Sequence, residues 1–210
     1  MDYKELIKSF KKEQYFDKVN LHIHSNFSDG EISPDSIVKQ AEELGLEYIS
    51  ITDHNTVNAY LKTDLLNHEN VIPGIEFDCW YNAIFFHLLA YGIDVHNEEL
   101  KPFLAKNKRD TSADIVRIFA KRDVKKLIEA IHKANGIAVL AHPACCWYLS
   151  MDNFVKTLMK FGLDGIEAYY PYSRHRGIVK FHSRLTAEKV ANKYNLIKTG
   201  GTDCHSKILF

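Results

Sequence analysis

The chain has 210 residues, with 27 basic and 27 acidic side chains and so no formal net charge. That length suits one domain with a full core, and the balanced charge gives no global electrostatic case for nucleic-acid or membrane binding. A 46% hydrophobic share is ordinary for a globular protein, and no apolar run reaches membrane-spanning length. The charged start, Met-Asp-Tyr-Lys-Glu-Leu, lacks a secretory pattern. Cys79, Cys145, Cys146 and Cys204 form no Cys-x-x-Cys pair, so reduced thiols and a cytoplasmic location are the expectation. Eleven histidines are the one compositional oddity.

Residues 2–16 read as a short amphipathic helix with Leu6, Ile7 and Phe10 on one side. A strand over 19–24 follows. Alternate side chains of a strand share a face, so His22 and His24 point one way while Val19, Leu21 and Ile23 point the other. Two imidazoles side by side at a strand end can grip one metal ion. Residues 25–32 form a polar loop with the turn signal Asp29-Gly30. Ser33-Pro34 then caps and opens a helix whose stripe is Ile37, Val38, Ala41 and Leu44, ended by Gly45.

A second strand over 47–52 ends in Asp53-His54-Asn55, and a helix is expected over 57–67. A third strand, 71–77, carries Glu76 near its end. The fourth, 84–91, is strongly apolar and holds His87; such a strand is usually buried on both faces, as in a parallel sheet. Residues 94–122 are charged and irregular, an excursion over the site. A helix over 124–134 stops at Asn135-Gly136, and a strand over 137–141 runs into His142-Pro143. A helix at 151–161, a strand at 164–169, a loop with Arg174, His175 and Arg176, and a helix at 185–194 follow. The last strand, 197–202, delivers Asp203-Cys204-His205.

Strand then helix, repeated about seven times, implies a parallel sheet; closed into a barrel, it would present its strand C-termini on one rim. His22, His24, His54, Glu76, His142, Asp203 and His205 fall on or just after predicted strand ends, with His87 in mid-strand as the exception. Histidine nitrogens with carboxylate oxygens suit zinc, manganese or iron rather than calcium or a thiolate site. These ligands are too many for one ion, and a carboxylate such as Glu76 can bridge two. Clustered metals hydrolyse phosphate esters well and need no protein nucleophile. The sequence shows no Gly-rich phosphate loop and no serine nucleophile elbow.

In order and type, His22-Ile23-His24-Ser25, Ser28-Asp29-Gly30, Thr52-Asp53-His54-Asn55, Gly74-Ile75-Glu76, His87, Ala141-His142-Pro143 and Gly201-Thr202-Asp203-Cys204-His205 resemble the polymerase and histidinol phosphatase (PHP) family over 19–205. The resemblance implies an α/β fold, a distorted seven-stranded (β/α)7 TIM-like barrel in one domain over 1–210. It also implies a trinuclear centre of divalent zinc, manganese or iron that hydrolyses phosphoesters through a metal-activated hydroxide. One ion would take His22, His24, Glu76 and Asp203; a second, Glu76, His87 and His142; a third, Asp29, His54 and His205. Asp203 and His205 become the candidate catalytic residues, with Asp53 beside them, orienting a ligand. Arg174, His175 and Arg176 are candidates to clasp a substrate phosphate, since Arg matches phosphate geometry. The expected partner is a small phosphorylated substrate or a nucleic-acid end, with no membrane; the oligomeric state is left open. Relatives resembling the nucleoside-phosphatase and RNA 5′-exonuclease branch carry a longer insertion before the Ala-His-Pro strand than the 94–122 excursion. Two other classes stay open: a metal-dependent amidohydrolase, and a non-catalytic domain braced by metal.

Overall fold

The structure, a computed structural model, describes residues 2–15, 17–172 and 182–209. A short helix, α1 (Tyr3–Ser9), capped by the Asp2 carboxylate, buries Ile7. The expected helix at 2–16 is therefore broken, and a 3-10 turn at Lys12–Gln14 leads into the first strand. Then come β1 (Val19–Ile23), α2 (Pro34–Glu43), β2 (Tyr48–Ile51) and α3 (Asn58–Lys62). Pro34 sits in the first turn of α2 and the Ser33 hydroxyl accepts the Ser36 N–H, as the sequence suggests. The helix expected over 57–67 shrinks to α3 and a 3-10 turn at Leu65–Asn67.

The next two strands overturn the expectation of an all-parallel sheet. β3 (Gly74–Tyr81) begins and ends later than predicted and pairs antiparallel with β4 (Ile84–Tyr91). Only Asn82 and Ala83 separate the Tyr81–Ile84 pair, both at positive φ (48° and 62°). A two-residue turn with both residues left-handed joins antiparallel strands and leaves no room for a crossover helix. The excursion holds two single-turn helices, α4 (Arg109–Ser112) and α5 (Asp114–Arg117). Regular alternation resumes with α6 (Val124–Lys133), β5 (Ile137–Leu140), α7 (Met151–Met159), β6 (Gly165–Tyr169), α8 (Arg184–Lys193) and β7 (Ile197–Gly200).

The strands form a two-stranded parallel sheet, β1-β2, and a five-stranded sheet in the order β3-β4-β5-β6-β7. β4 is antiparallel to both neighbours, while β5, β6 and β7 run parallel. Single bridges, not ladders, link the two sheets: Ile23 to Cys204 on one side, Ile49 to Val71 and His54 to Glu76 on the other. This is a mixed α/β domain whose sheets do not close into a full barrel. The apolar stripes of α2, α6, α7 and α8 pack Ile37, Leu127, Leu158 and Val190 into the larger core cluster. A smaller cluster joins Ile7 of α1 to Leu21, Leu89 and Val139. No helix among the described residues is long and apolar enough to cross a membrane.

Candidate active site

Two seams bring distant residues together. At the first, the loop after β7 lies against β1. Asn20 Nδ2 donates to Thr202 Oγ1 (2.9 Å) and Asn20 Oδ1 accepts the Thr202 N–H (3.0 Å). The Asp203 N–H donates to the His22 carbonyl (2.8 Å) and the His24 N–H to the Cys204 carbonyl (3.0 Å). A Cβ on Gly201 would lie 2.4 Å from the His22 backbone nitrogen, so only glycine permits this approach. At the second seam, the Asn55 N–H donates to the Glu76 carbonyl (2.7 Å). Asn55 also holds Asp78 from both sides, its Nδ2 donating to the carboxylate and its Oδ1 accepting the Asp78 N–H. Asn55, His142 and Asp203 all have positive φ (57°, 23° and 51°). Each such non-glycine residue costs about 1–3 kcal/mol, a strain that tends to gather at functional sites.

Between the seams lie donor atoms in compact sets. His22 Nε2 and His24 Nε2 lie 3.2 Å apart, and each lies 3.1–3.3 Å from Glu76 Oε2 and from Asp203 Oδ1. Glu76 Oε1 faces His87 Nδ1 (3.0 Å) and His142 Nε2 (3.2 Å), which are 3.2 Å apart. Asp29 lies 3.3 Å from His205 Nε2, 3.5 Å from His24 Nδ1 and 3.7 Å from His54 Nε2. Within each set the donor atoms are within 4.8 Å of one another. All nine sequence candidates, His22, His24, Asp29, His54, Glu76, His87, His142, Asp203 and His205, thus meet in one place. Glu76 serves two sets through different oxygens. His87, in mid-strand, reaches them because β4 faces it to Asp78 of β3.

The surroundings orient these donors. Glu167, fully buried on β6, accepts from His22 Nδ1 at Oε1 (2.9 Å) and from the His142 backbone N–H at Oε2 (2.7 Å). His22 therefore turns Nε2 to the cluster. Asp78 Oδ1 lies 3.4 Å from His54 Nδ1 and 3.1 Å from His87 Nε2. Tyr170 donates to Asp203 Oδ2 (2.8 Å), leaving Oδ1 to face the histidines. Asp53 stands apart from the donor sets. Its carboxylate accepts the Ser25 N–H (2.7 Å), the Ser25 hydroxyl (2.6 Å) and the Ser28 hydroxyl (2.7 Å), which fixes the loop that carries Asp29. Arg174, His175 and Arg176 lie outside the described residues.

Glu167, Asp78 and Arg117 were not singled out in the sequence. Asp78 carried a usable signal, two residues beyond Glu76 on a strand and so on the same face. Glu167 is an acid within an apolar strand, a weaker one. Arg117, from α5 in the excursion, ion-pairs with Asp29, has Nε 3.7 Å from Asp78 Oδ1 and pairs with Asp114 (3.0 Å). Nothing local in the sequence announces that reach.

The field of the site is that of a cation receptor. Burial alone would lower the histidine pKa values and raise those of the acids. Around His22 the carboxylates of Glu167, Glu76 and Asp203 outweigh burial and hold it well above the usual range. Against the same burial, Asp203 and Glu76 raise His24 to about 9. Glu76 and Asp78 raise His87 to about 10. Burial would raise the Glu76 carboxyl, but His87, His22 and His54 hold it well below its normal range. Burial, with His24 adding to it, lowers His54 to about 4, so its ring is neutral near pH 7. Glu76 Oε2 is buried without a hydrogen-bond partner, 3.2–3.3 Å from three imidazole nitrogens. An acceptor-rich set of imidazole nitrogens and carboxylate oxygens around such an atom fits divalent metal, whose binding would displace the protons this field attracts. Among the lining residues of the cleft above it, about 330 Å³, are Asp29, Arg117, Cys145, Tyr170 and His205.

Comparison with known proteins agrees with this chemistry. The PHP domain profile matches residues 20–199. The chain is 30% identical over 130 residues to the 5′-3′ exoribonuclease Rnm of Salmonella typhimurium, which covers 57% of this chain and 44% of that protein. It is 21% identical over 255 residues to phosphoribosyl 1,2-cyclic phosphate 1,2-diphosphodiesterase of Eggerthella lenta, covering 90% of this chain and 94% of that one. A solved structure from Bifidobacterium adolescentis, described as a metal-dependent phosphoesterase, shares the fold (TM-score 0.70, 20% identity, 91% of this chain and 89% of that one). So does an amidohydrolase from Chromobacterium violaceum (TM-score 0.73, 16% identity, 90% and 88%). The chain therefore belongs to the PHP domain family and is a metal-dependent phosphoric ester hydrolase. It spans less than half of the exoribonuclease.

Proposed function

We propose that the enzyme hydrolyses a small phosphomonoester or a nucleotide or oligonucleotide end, as a phosphatase or a nuclease, with three divalent ions, zinc, manganese or iron, in the cluster. His22, His24, Glu76 and Asp203 would hold one, Glu76, His87 and His142 the second, and Asp29, His54 and His205 the third. Divalent ions in such a site polarise phosphoryl oxygens and lower the pKa of a bound water. The observation that carries this reading is the chain of three donor sets, two sharing Glu76 through its two oxygens and the third, around Asp29, reached by His24.

The chain's own residues have distinct tasks. Glu167 fixes the ring orientation of His22, and Asp78 stands behind His54 and His87 to do the same. Tyr170 holds Asp203 by the oxygen turned away from the histidines. Asp53 keeps the Ser25–Ser28 loop, and thus Asp29, in place. Arg117 presents a planar guanidinium at the cleft, suited to a phosphoryl group. His205 is the most exposed of the set at 35%, so it borders the space an incoming ester would enter.

The test is phosphate release from sugar phosphates, nucleotides and short oligonucleotides, and amide hydrolysis alongside, with manganese or zinc added. Phosphate release should exceed amide hydrolysis, and Asp203→Ala should lose activity together with bound metal. Metal-loaded protein that turns over none of the esters overturns the proposal.

A further inference from the structure

The hairpin that supplies Glu76, Asp78 and His87 continues outward beyond them. Asp78 pairs with His87, and two residues further along the strands Trp80 pairs with Phe85. Side chains two apart share a face, so Trp80 and Phe85 stand on the face that carries Asp78 and His87, about 7 Å further out. The rings form a continuous series. His87 meets Phe85 edge-on at 5.1 Å between centroids, and Phe85 meets Trp80 at 5.3 Å.

Trp80 is held in place rather than buried. Its indole N–H donates to the Ile118 carbonyl (2.6 Å), yet the residue remains 36% exposed. Its free surface lines an apolar hollow of about 610 Å³, with Ile118, Phe119, Lys121 and Arg122. Phe119 is 75% exposed there. A second hollow of about 380 Å³ shares Arg117 with the metal-side cleft, and Phe119, Lys121 and Arg122 with the apolar hollow. An aromatic wall with cationic neighbours, on the hairpin face that carries Asp78 and His87, matches a molecule that is apolar and flat at one end and anionic at the other. Every nucleobase offers such a face, and stacking on an aromatic side chain is tolerant of base identity.

We infer that Trp80, backed by Phe85 and flanked by Phe119, is the stacking face for the base of a nucleotide substrate whose phosphate lies at the metal cluster. The inference rests on the phosphoesterase reading and narrows it: a base-bearing phosphomonoester is favoured over a base-free one because Trp80 and Phe85 add an aromatic face one strand repeat, about 7 Å, beyond Asp78 and His87. Exposed Trp80 acts on specificity through binding and has no contact with the reacting atoms.

The experiment compares adenosine 5′-monophosphate with ribose 5-phosphate, the same ester without its base. Both are measured with wild type, Trp80→Ala and Trp80→Phe, by steady-state kinetics with metal and by calorimetric binding. Wild type should favour the nucleotide in kcat/KM. Trp80→Ala should cut that preference about tenfold, chiefly through KM. Trp80→Phe, which keeps a ring but loses the hydrogen bond to Ile118, should restore most of it. An unchanged preference in Trp80→Ala overturns the inference, as does a Trp80→Phe variant that behaves like Trp80→Ala, since the effect would then come from the lost hydrogen bond. Nucleotide binding in the order wild type, Phe, Ala with no turnover of these two compounds or of any other ester in the panel would overturn the phosphoesterase reading and leave the stacking site standing.

Discussion

Glu167→Gln tests whether the histidine cluster is a tuned metal site. The carboxylate accepts two donors on two oxygens, the His22 ring at 2.9 Å and the His142 N–H at 2.7 Å, and it is fully buried. Glutamine keeps the shape but has one acceptor oxygen, so its NH2 must face either the His22 ring N–H or the His142 backbone N–H. A stranded buried donor costs about 1–3 kcal/mol. At about 2–4 °C per kcal/mol for a chain of this size, the melting temperature should fall by several degrees. The lost hold on His22 should separately weaken metal binding by about 10–100-fold, since partners behind a ligating imidazole set its orientation and basicity. Competition against a chromophoric chelator measures the second effect and thermal unfolding of metal-free protein the first. If metal affinity stays within about twofold of wild type while the protein is folded, Glu167 does not orient a ligand and the reasoning fails.

Two further perturbations follow from other parts of the fold. Gly201→Ala would drive a methyl to 2.4 Å from the His22 nitrogen and part the seam between β1 and the loop after β7, so soluble yield and bound metal should fall together; normal metal content would refute the seam's role. Asp164, away from the cluster, is bonded to His132 (2.7 Å), Lys4 (2.8 Å) and the Ala138 N–H (3.0 Å). Burial would raise its pKa, but these partners outweigh that and depress it. A depressed carboxylate stabilises the fold above its unfolded value of about 4 and loses that contribution as pH falls through the folded value. Urea midpoints should therefore drop for Asp164→Asn at pH 7, with the gap to wild type narrowing below about pH 4; a gap that persists undiminished in acid would contradict the ion pair's role.

Much of this was legible in the sequence for identifiable reasons. The period of two placed His22 and His24 on one face, and helical stripes located α2, α6, α7 and α8 to within a few residues. The β3–β4 hairpin was not, because an apolar run such as Ile84–Tyr91 looks alike whether its neighbours run parallel or antiparallel. The decisive feature was the Asn82-Ala83 turn, and alanine at positive φ gives little warning. Asp78 was within reach of the same alternation that found the histidine pair. Arg117 was not, since its contact with Asp29 spans 88 positions and depends on how the excursion settles over the mouth. The open sheets have a similar cause: single bridges at Cys204 and Glu76 depend on where strands end, and local pattern fixes strand ends poorly.

The central claim is that side chains from β1 to the loop after β7 hold a working metal centre. Its most direct test is a titration of metal-free protein with manganese or zinc, following bound metal by elemental analysis and phosphate release from a nucleotide in the same samples. The account predicts that both rise together, level off near three ions per chain, and vanish together in His22→Ala. Ions that bind without any phosphate release, or phosphate release that is indifferent to metal, would contradict it.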